Sequence, residues 1–143
     1  MSTAPGLLGL FNIETISSEK NHVEMRMPIT PEVYQPHGFL HGGVTIALLE
    51  SAASAGTENN VDFSKELPFG IEVQIRHRKS GESGFLRGVA DLERTEGNKW
   101  FWKVAAYDDE GDVISDGIIM AKIVSLARLE EKKQERETSR TDR

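Results

Sequence analysis

Glu50 is the one charged residue in the segment Val44 to Gly56, which reads Val-Thr-Ile-Ala-Leu-Leu-Glu-Ser-Ala-Ala-Ser-Ala-Gly. A carboxylate drawn out of water is destabilised and its pKa tends to rise, which suits a general base or a nucleophile. The plainer alternative is an acid that faces solvent at a helix edge or makes a structural hydrogen bond. Ser54 follows at the i+4 position and shares that face, so its hydroxyl could hold the carboxylate or a catalytic water, or else bond a preceding backbone carbonyl. Just upstream stands His41-Gly42-Gly43. Glycines at a helix start let a ligand approach the first free amides, and those amides with the helix dipole suit a carbonyl oxygen that gains negative charge. Alone, the pair signifies no more than a tight turn into the helix. Gly42 and Glu50 are eight residues apart, about 12 Å along a helix axis, so they cannot meet at one carbonyl within one chain. If both act, two helices run antiparallel in a two-fold dimer with two shared sites. The small residues Ala52, Ala53, Ala55 and Gly56 are compatible with such packing.

The carrier of these residues is predicted to be one helix from about His41 to Glu58, ended by Glu58-Asn59-Asn60. It is apolar or small on every side, which marks it as buried. Before it, Leu8 to Ile16 and His22 to Met27 read as a hairpin of strands, the second alternating Val23, Met25, Met27 against Glu24 and Arg26. Pro28, Pro31, Pro36 and Gly38 punctuate the approach to the helix. After it, Gly70 to Lys79, Phe85 to Glu93, Lys99 to Tyr107 and Val113 to Ser125 read as four strands joined by turn-rich pieces. Trp100, Trp102, Val104 and Ala106 alternate with Phe101, Lys103, Ala105 and Tyr107, a pattern of core and interface packing or of an aromatic pocket. The order predicts an α+β fold, an antiparallel sheet whose concave face has only this helix to cover it. Residues 1–127 form the expected domain, and 128–143, almost wholly charged or polar, a solvated helical extension or disordered tail.

A chain of 143 residues suits one domain. Nowhere do about eighteen apolar residues run together, so no membrane span is expected. Met1-Ser2-Thr3-Ala4-Pro5 lacks the features of a secretory leader, which makes the cytoplasm the expected location. The absence of cysteine excludes a disulfide scaffold, a thiolate zinc site and a cysteine nucleophile. A net charge of −6 argues against nucleic-acid binding. An anionic ligand must therefore find a local basic patch, and the conspicuous one is Arg76-His77-Arg78-Lys79 followed eight residues later by Arg87. Such a run also protects a strand edge, and His77, alternating with Arg76 and Arg78, reads as inward-facing beside the helix or as a hydrogen-bonded core residue. No His/Asp/Glu cluster shows ligand-like spacing, so no metal is assigned.

The stretch Gln35-Pro36-His37-Gly38-Phe39-Leu40-His41-Gly42-Gly43, followed by Glu50-Ser51, resembles the hotdog-fold thioesterases of the phenylacetate-degradation type and the related hydroxybenzoyl- and naphthoyl-CoA thioesterases. The likeness spans residues 5–125, through Gly70-Ile71-Glu72-Val73, His77, Ser80, Gly84, Arg87-Gly88 and Asp109-Glu110-Gly111. It implies a hotdog fold and a hydrolase that cleaves an acyl-CoA, aromatic or of medium chain, to free acid and CoA without cofactor or metal. It implies a homodimer or a homotetramer built as a dimer of dimers. It further implies that Glu50 is base or nucleophile, that the Gly42 amide polarises the thioester carbonyl, that Gln35 and His41 hold the substrate near the reacting carbon, and that Ser54 assists Glu50. Gly43 and His77 fall among the substrate contacts, and Arg78, Lys79 and Arg87 in the region that meets the nucleotide and phosphates of CoA. Glu82 departs from the pattern, standing where relatives often carry a basic residue. Two rivals belong to other classes. One is a non-catalytic acyl-CoA-binding hotdog module, which needs neither Glu50 nor a poised water; the acidic net charge and the absence of a recognisable DNA-binding helix-turn-helix count against a transcriptional version of it. The other is a hotdog hydratase or dehydratase, kept open by His41.

Overall fold

A computed structural model describes residues 5–141. Residues 1–4, which carry most of the expectation of no leader, lie outside the described residues, as do 142 and 143. The chain forms α1 (Leu7–Leu10), β1 (Glu14–Ser18), β2 (His22–Pro28), a 3-10 turn (Pro31–Val33), α2 (Gly42–Glu58), β3 (Glu66–His77), β4 (Phe85–Glu96), β5 (Lys99–Tyr107), β6 (Val113–Ser125) and α3 (Leu126–Thr141). The strands make one sheet in the order β1-β2-β4-β5-β6-β3, antiparallel at every pairing. The sheet wraps α2, the hotdog arrangement.

Packing follows from the pattern of residue size along α2. Val44, Thr45, Leu48, Leu49, Ala52, Ala53, Gly56 and Thr57 are buried, a helical repeat that turns one face to the sheet. Gly56 marks the closest approach: a Cβ built there would stand 2.3 Å from the ring of Trp102. That ring is fully buried, and its Nε1 donates to Thr57 Oγ1 at 2.9 Å, which in turn donates to the Ala53 carbonyl at 2.9 Å. Core packing, not an aromatic pocket, is therefore the role of Trp102.

Two expectations are corrected. Leu8 to Ile16 is not one strand: Leu10 and Phe11 donate to the carbonyls of Gly6 and Leu7, closing a helical turn, and Asn12 takes a left-handed φ of 55° before β1 starts at Glu14. Nor is α2 enclosed on every side. Ile46, Ala47, Glu50, Ser51, Ser54 and Ala55 form a second face that is only half-buried, with Gly70 of β3 and Met25 of β2 against part of it. Beside it runs β3, an edge strand of the sheet, where Pro68 is tolerated because an edge has ladder positions without a partner. Phe69, Ile71 and Val73 on this edge are 43%, 55% and 38% exposed. α3 leaves from the end of β6, with the Leu126 amide donating to the Lys65 carbonyl at 2.8 Å, and most of its length is exposed. Among the described residues no helix is long and apolar enough to cross a membrane.

Candidate active site

The tip of α2 is built by backbone hydrogen bonds between separate loops. The His41 amide donates to the Val33 carbonyl at 2.9 Å, Leu40 bridges Tyr34, and the Leu40 amide donates to the Gly81 carbonyl at 2.8 Å. His41 is thereby held extended (φ −66°, ψ 126°) as the helix cap, and its Nδ1 accepts the Gly43 amide at 2.9 Å. The Val44 and Thr45 amides both donate to the His41 carbonyl, at 3.0 and 3.4 Å. Of the four amides that open the helix, only that of Gly42 has no acceptor among the described residues. Gln35 lies on the adjacent turn, where its Oε1 accepts from the His37 and Phe39 amides, leaving its side-chain NH2 undonated. His77 ends β3 at this same tip: a methyl group built on Gly42 would stand 2.7 Å from its Nε2, while its Nδ1 lies 2.6 Å from Ser115 Oγ. His77 stays exposed at this tip, with its ring set against the start of α2 rather than enclosed in the core.

Glu50 sits two turns further along. Its carboxylate lies over Gly70 of β3, half-buried, and no hydrogen bond or ion pair engages it among the described residues. It borders a cavity of about 350 Å³ whose walls include Leu7, Leu8, Met25, Ala47 and Ala55. Ser54 borders the same cavity, so the structure brings these two predicted residues together. The backbone-bonding role considered for Ser54 falls to Ser51 instead, which donates to the Ala47 carbonyl at 2.7 Å.

The basic candidates Arg78, Lys79 and Arg87 are already engaged by carboxylates. Arg78 pairs with Asp116 at 2.9 Å. Arg87 pairs with Glu24 at 2.7 Å and stacks over Tyr107. Lys79 meets Asp108 at 2.7 Å and Asp112 at 2.8 Å, with Glu110 at 3.8 Å. The hydrogen bonds to Asp108 and Asp112 hold the Lys79 ammonium well above its ordinary pKa, and that to Lys79 holds Asp108 below the usual carboxylate range. Asp108, Glu110 and Asp112 form a carboxylate cluster that the spacing did not announce, and Lys79 supplies its counter-charge. Also unannounced were Leu7, Leu8 and Met25 beside Glu50. Gly6, Gly9 and Asn12, residues that favour turns over strands, were the available signal for α1.

Comparison with known proteins bears on the family and the fold. The profile of the Thioesterase superfamily matches residues 37–115, from the Gln35–His41 turn to Ser115. The 1,4-dihydroxy-2-naphthoyl-CoA hydrolase of Listeria monocytogenes is 32% identical over 104 residues, covering 73% of this chain and 84% of that protein. A thioesterase structure from Staphylococcus aureus superposes with a TM-score of 0.80 at 31% identity, covering 82% of this chain and 97% of that one. A Bacillus halodurans protein solved with CoA superposes with a TM-score of 0.74 at 25% identity, over 82% of this chain and 75% of that one.

Proposed function

Because the chain belongs to the Thioesterase superfamily, whose chemistry is thioester hydrolysis, we propose that it hydrolyses an acyl-CoA at a site shared by two copies. The thioester carbonyl lies against the Gly42 amide of one copy and meets Glu50 of the second. The observation that carries this reading is the single vacant amide at the tip of α2. A vacant helix-terminal donor, backed by the helix dipole, is worth most when the oxygen before it becomes an oxyanion. Gln35, through its undonated NH2, is the proposed second contact to the substrate, with His41 and Gly43 shaping the tip.

Glu50 then either takes a proton from water as the oxygen adds to the carbonyl carbon, or attacks that carbon itself to give a mixed anhydride that water cleaves. On both routes the tetrahedral species collapses with loss of the carbon–sulfur bond, and the CoA sulfur leaves and is protonated. Ser54 is proposed to hold the water beside Glu50. The cavity lined by Leu7, Leu8, Met25, Ala47 and Ala55 is proposed to take the acyl group, aromatic or of medium chain. Sharing is required because about 12 Å of helix separates Gly42 from Glu50 in one chain. The exposed β3 edge and the half-buried, small-residue face of α2 support antiparallel pairing of two copies there. At the nucleotide end, the phosphates of CoA are proposed to exchange with the carboxylates that now hold Arg78, Lys79 and Arg87. Exposed pairs of this kind are weak enough to yield. The hydratase reading is disfavoured by His41, whose Nδ1 is already occupied as the helix cap.

Glu50→Gln tests the assignment. Release of free thiol from aromatic, short and long acyl-CoA substrates is expected to fall about 1,000-fold in kcat, with KM little changed. Near-normal turnover overturns the role of Glu50. Tight acyl-CoA binding by the unaltered protein, with no hydrolysis of any substrate, selects the non-catalytic module.

A further inference from the structure

The register of β3 against β6 sets His77 directly opposite Ser115, so their side chains project from the same face at close range. Ser115 is 0% exposed, and its hydroxyl meets Nδ1 of His77 at 2.6 Å with no other hydrogen-bond partner among the described residues. A serine hydroxyl carries one proton. If Nδ1 held a hydrogen and donated to Ser115, that hydroxyl proton would be left without an acceptor where water does not reach, which buried polar groups avoid. The favourable arrangement is the reverse: the hydroxyl donates, Nδ1 accepts, and the neutral imidazole carries its hydrogen on Nε2. Nε2 is the atom that lies against Gly42.

We infer that Ser115 is a positioning residue that fixes the ring and tautomer of His77, so that Nε2–H stands beside the vacant Gly42 amide as a further donor to the thioester oxygen. This rests on the reading of Gly42 as the donor that polarises the carbonyl. The two donors come from different elements, a helix tip and a strand end, and the buried hydroxyl keeps the second from rotating away. A carbonyl oxygen has lone pairs for both, and a second preorganised donor strengthens as charge develops on the oxygen. Ser115 itself touches neither substrate nor reacting atoms.

The test uses the full chain. Long-range proton–nitrogen NMR of the His77 ring, at a pH where it is neutral, is expected to show hydrogen on Nε2 and a hydrogen-bonded, unprotonated Nδ1. A hydrogen on Nδ1 overturns the inference without any variant. Ser115→Ala is expected to lower kcat about tenfold with KM within about twofold, a part of the 100-fold or more that loss of an oxyanion donor costs. It is also expected to abolish the hydrogen-bonded Nδ1 signature. A kcat equal to that of the unaltered protein in folded Ser115→Ala, while Glu50→Gln is inactive, overturns this inference alone. Normal turnover by Glu50→Gln overturns the role of Glu50, and no thiol release by the unaltered protein overturns the hydrolytic reading on which this inference rests.

Discussion

At the residue scale the chemistry depends on which polar groups are left unoccupied. His41 takes the Gly43 amide and its own carbonyl takes the next two, so the cap concentrates the donor capacity of the helix end on Gly42. Gly42→Ala keeps that amide but places a Cβ 2.7 Å from Nε2 of His77, so the ring must move. We expect kcat to fall about 10- to 100-fold with KM little changed, as measured by thiol release. An unaltered kcat would mean that the space at the tip is not used. Glu50 and Gly42 were legible as candidates because a lone acid in an apolar helix is costly to desolvate, and that acid gives weight to a glycine pair that alone signifies only a tight turn. Ser115 was not, because one serine within Val-Ile-Ser-Asp-Gly-Ile-Ile carries no mark until the strand opposite is known. The pairing of Arg78, Lys79 and Arg87 with acids was equally hidden, since Asp116, Asp108 and Glu24 are distant in sequence.

At the scale of elements, the fold rests on the contact between α2 and the sheet. Alternation along β2 and β5 and the apolar and small residues on all sides of α2 made those elements legible, because side-chain period is a local property. The α1 turn was misread since Leu7, Leu8 and Leu10 suit either period over so short a span, and the left-handed Asn12 decides against extension. The tightest joint is Gly56 on Trp102, where Gly56→Ala forces a ring that is already closed in on all sides and hydrogen-bonded to Thr57. Overpacking of this kind costs about 1–3 kcal/mol. Urea unfolding is the measurement, and an unchanged midpoint would show that the helix can lift off the sheet at no cost.

At the scale of the whole molecule, the proposed site does not close within one chain. Glu50 and Gly42 belong to opposite ends of a shared arrangement, and the β3 edge that would join the copies carries exposed Phe69, Ile71 and Val73. A long apolar edge invites strand pairing, and charge is the device that prevents it. Ile71→Lys is therefore expected to shift the protein from dimer to monomer in light scattering and to remove most thioesterase activity with it. A variant that stays dimeric and active would place the interface elsewhere, and a fully active monomer would end the shared-site mechanism.

From sequence alone came the α+β class, five of the six strands close to their observed extents, the single long helix, and the pairing of an acid with a glycine-rich start at a spacing too long for one chain. These follow from periodicity, turn chemistry and helix rise, all set by neighbours along the chain. Only the tertiary structure decided that Gly42 holds a vacant amide at the helix start, that β3 is an edge strand, that α1 walls the cavity beside Glu50, and that Ser115 grips His77. Each of those depends on which distant segments meet and in what register. Hydrogen bonds and close contacts fall off within an ångström, so no pattern along the chain encodes them until the sheet has closed around the helix.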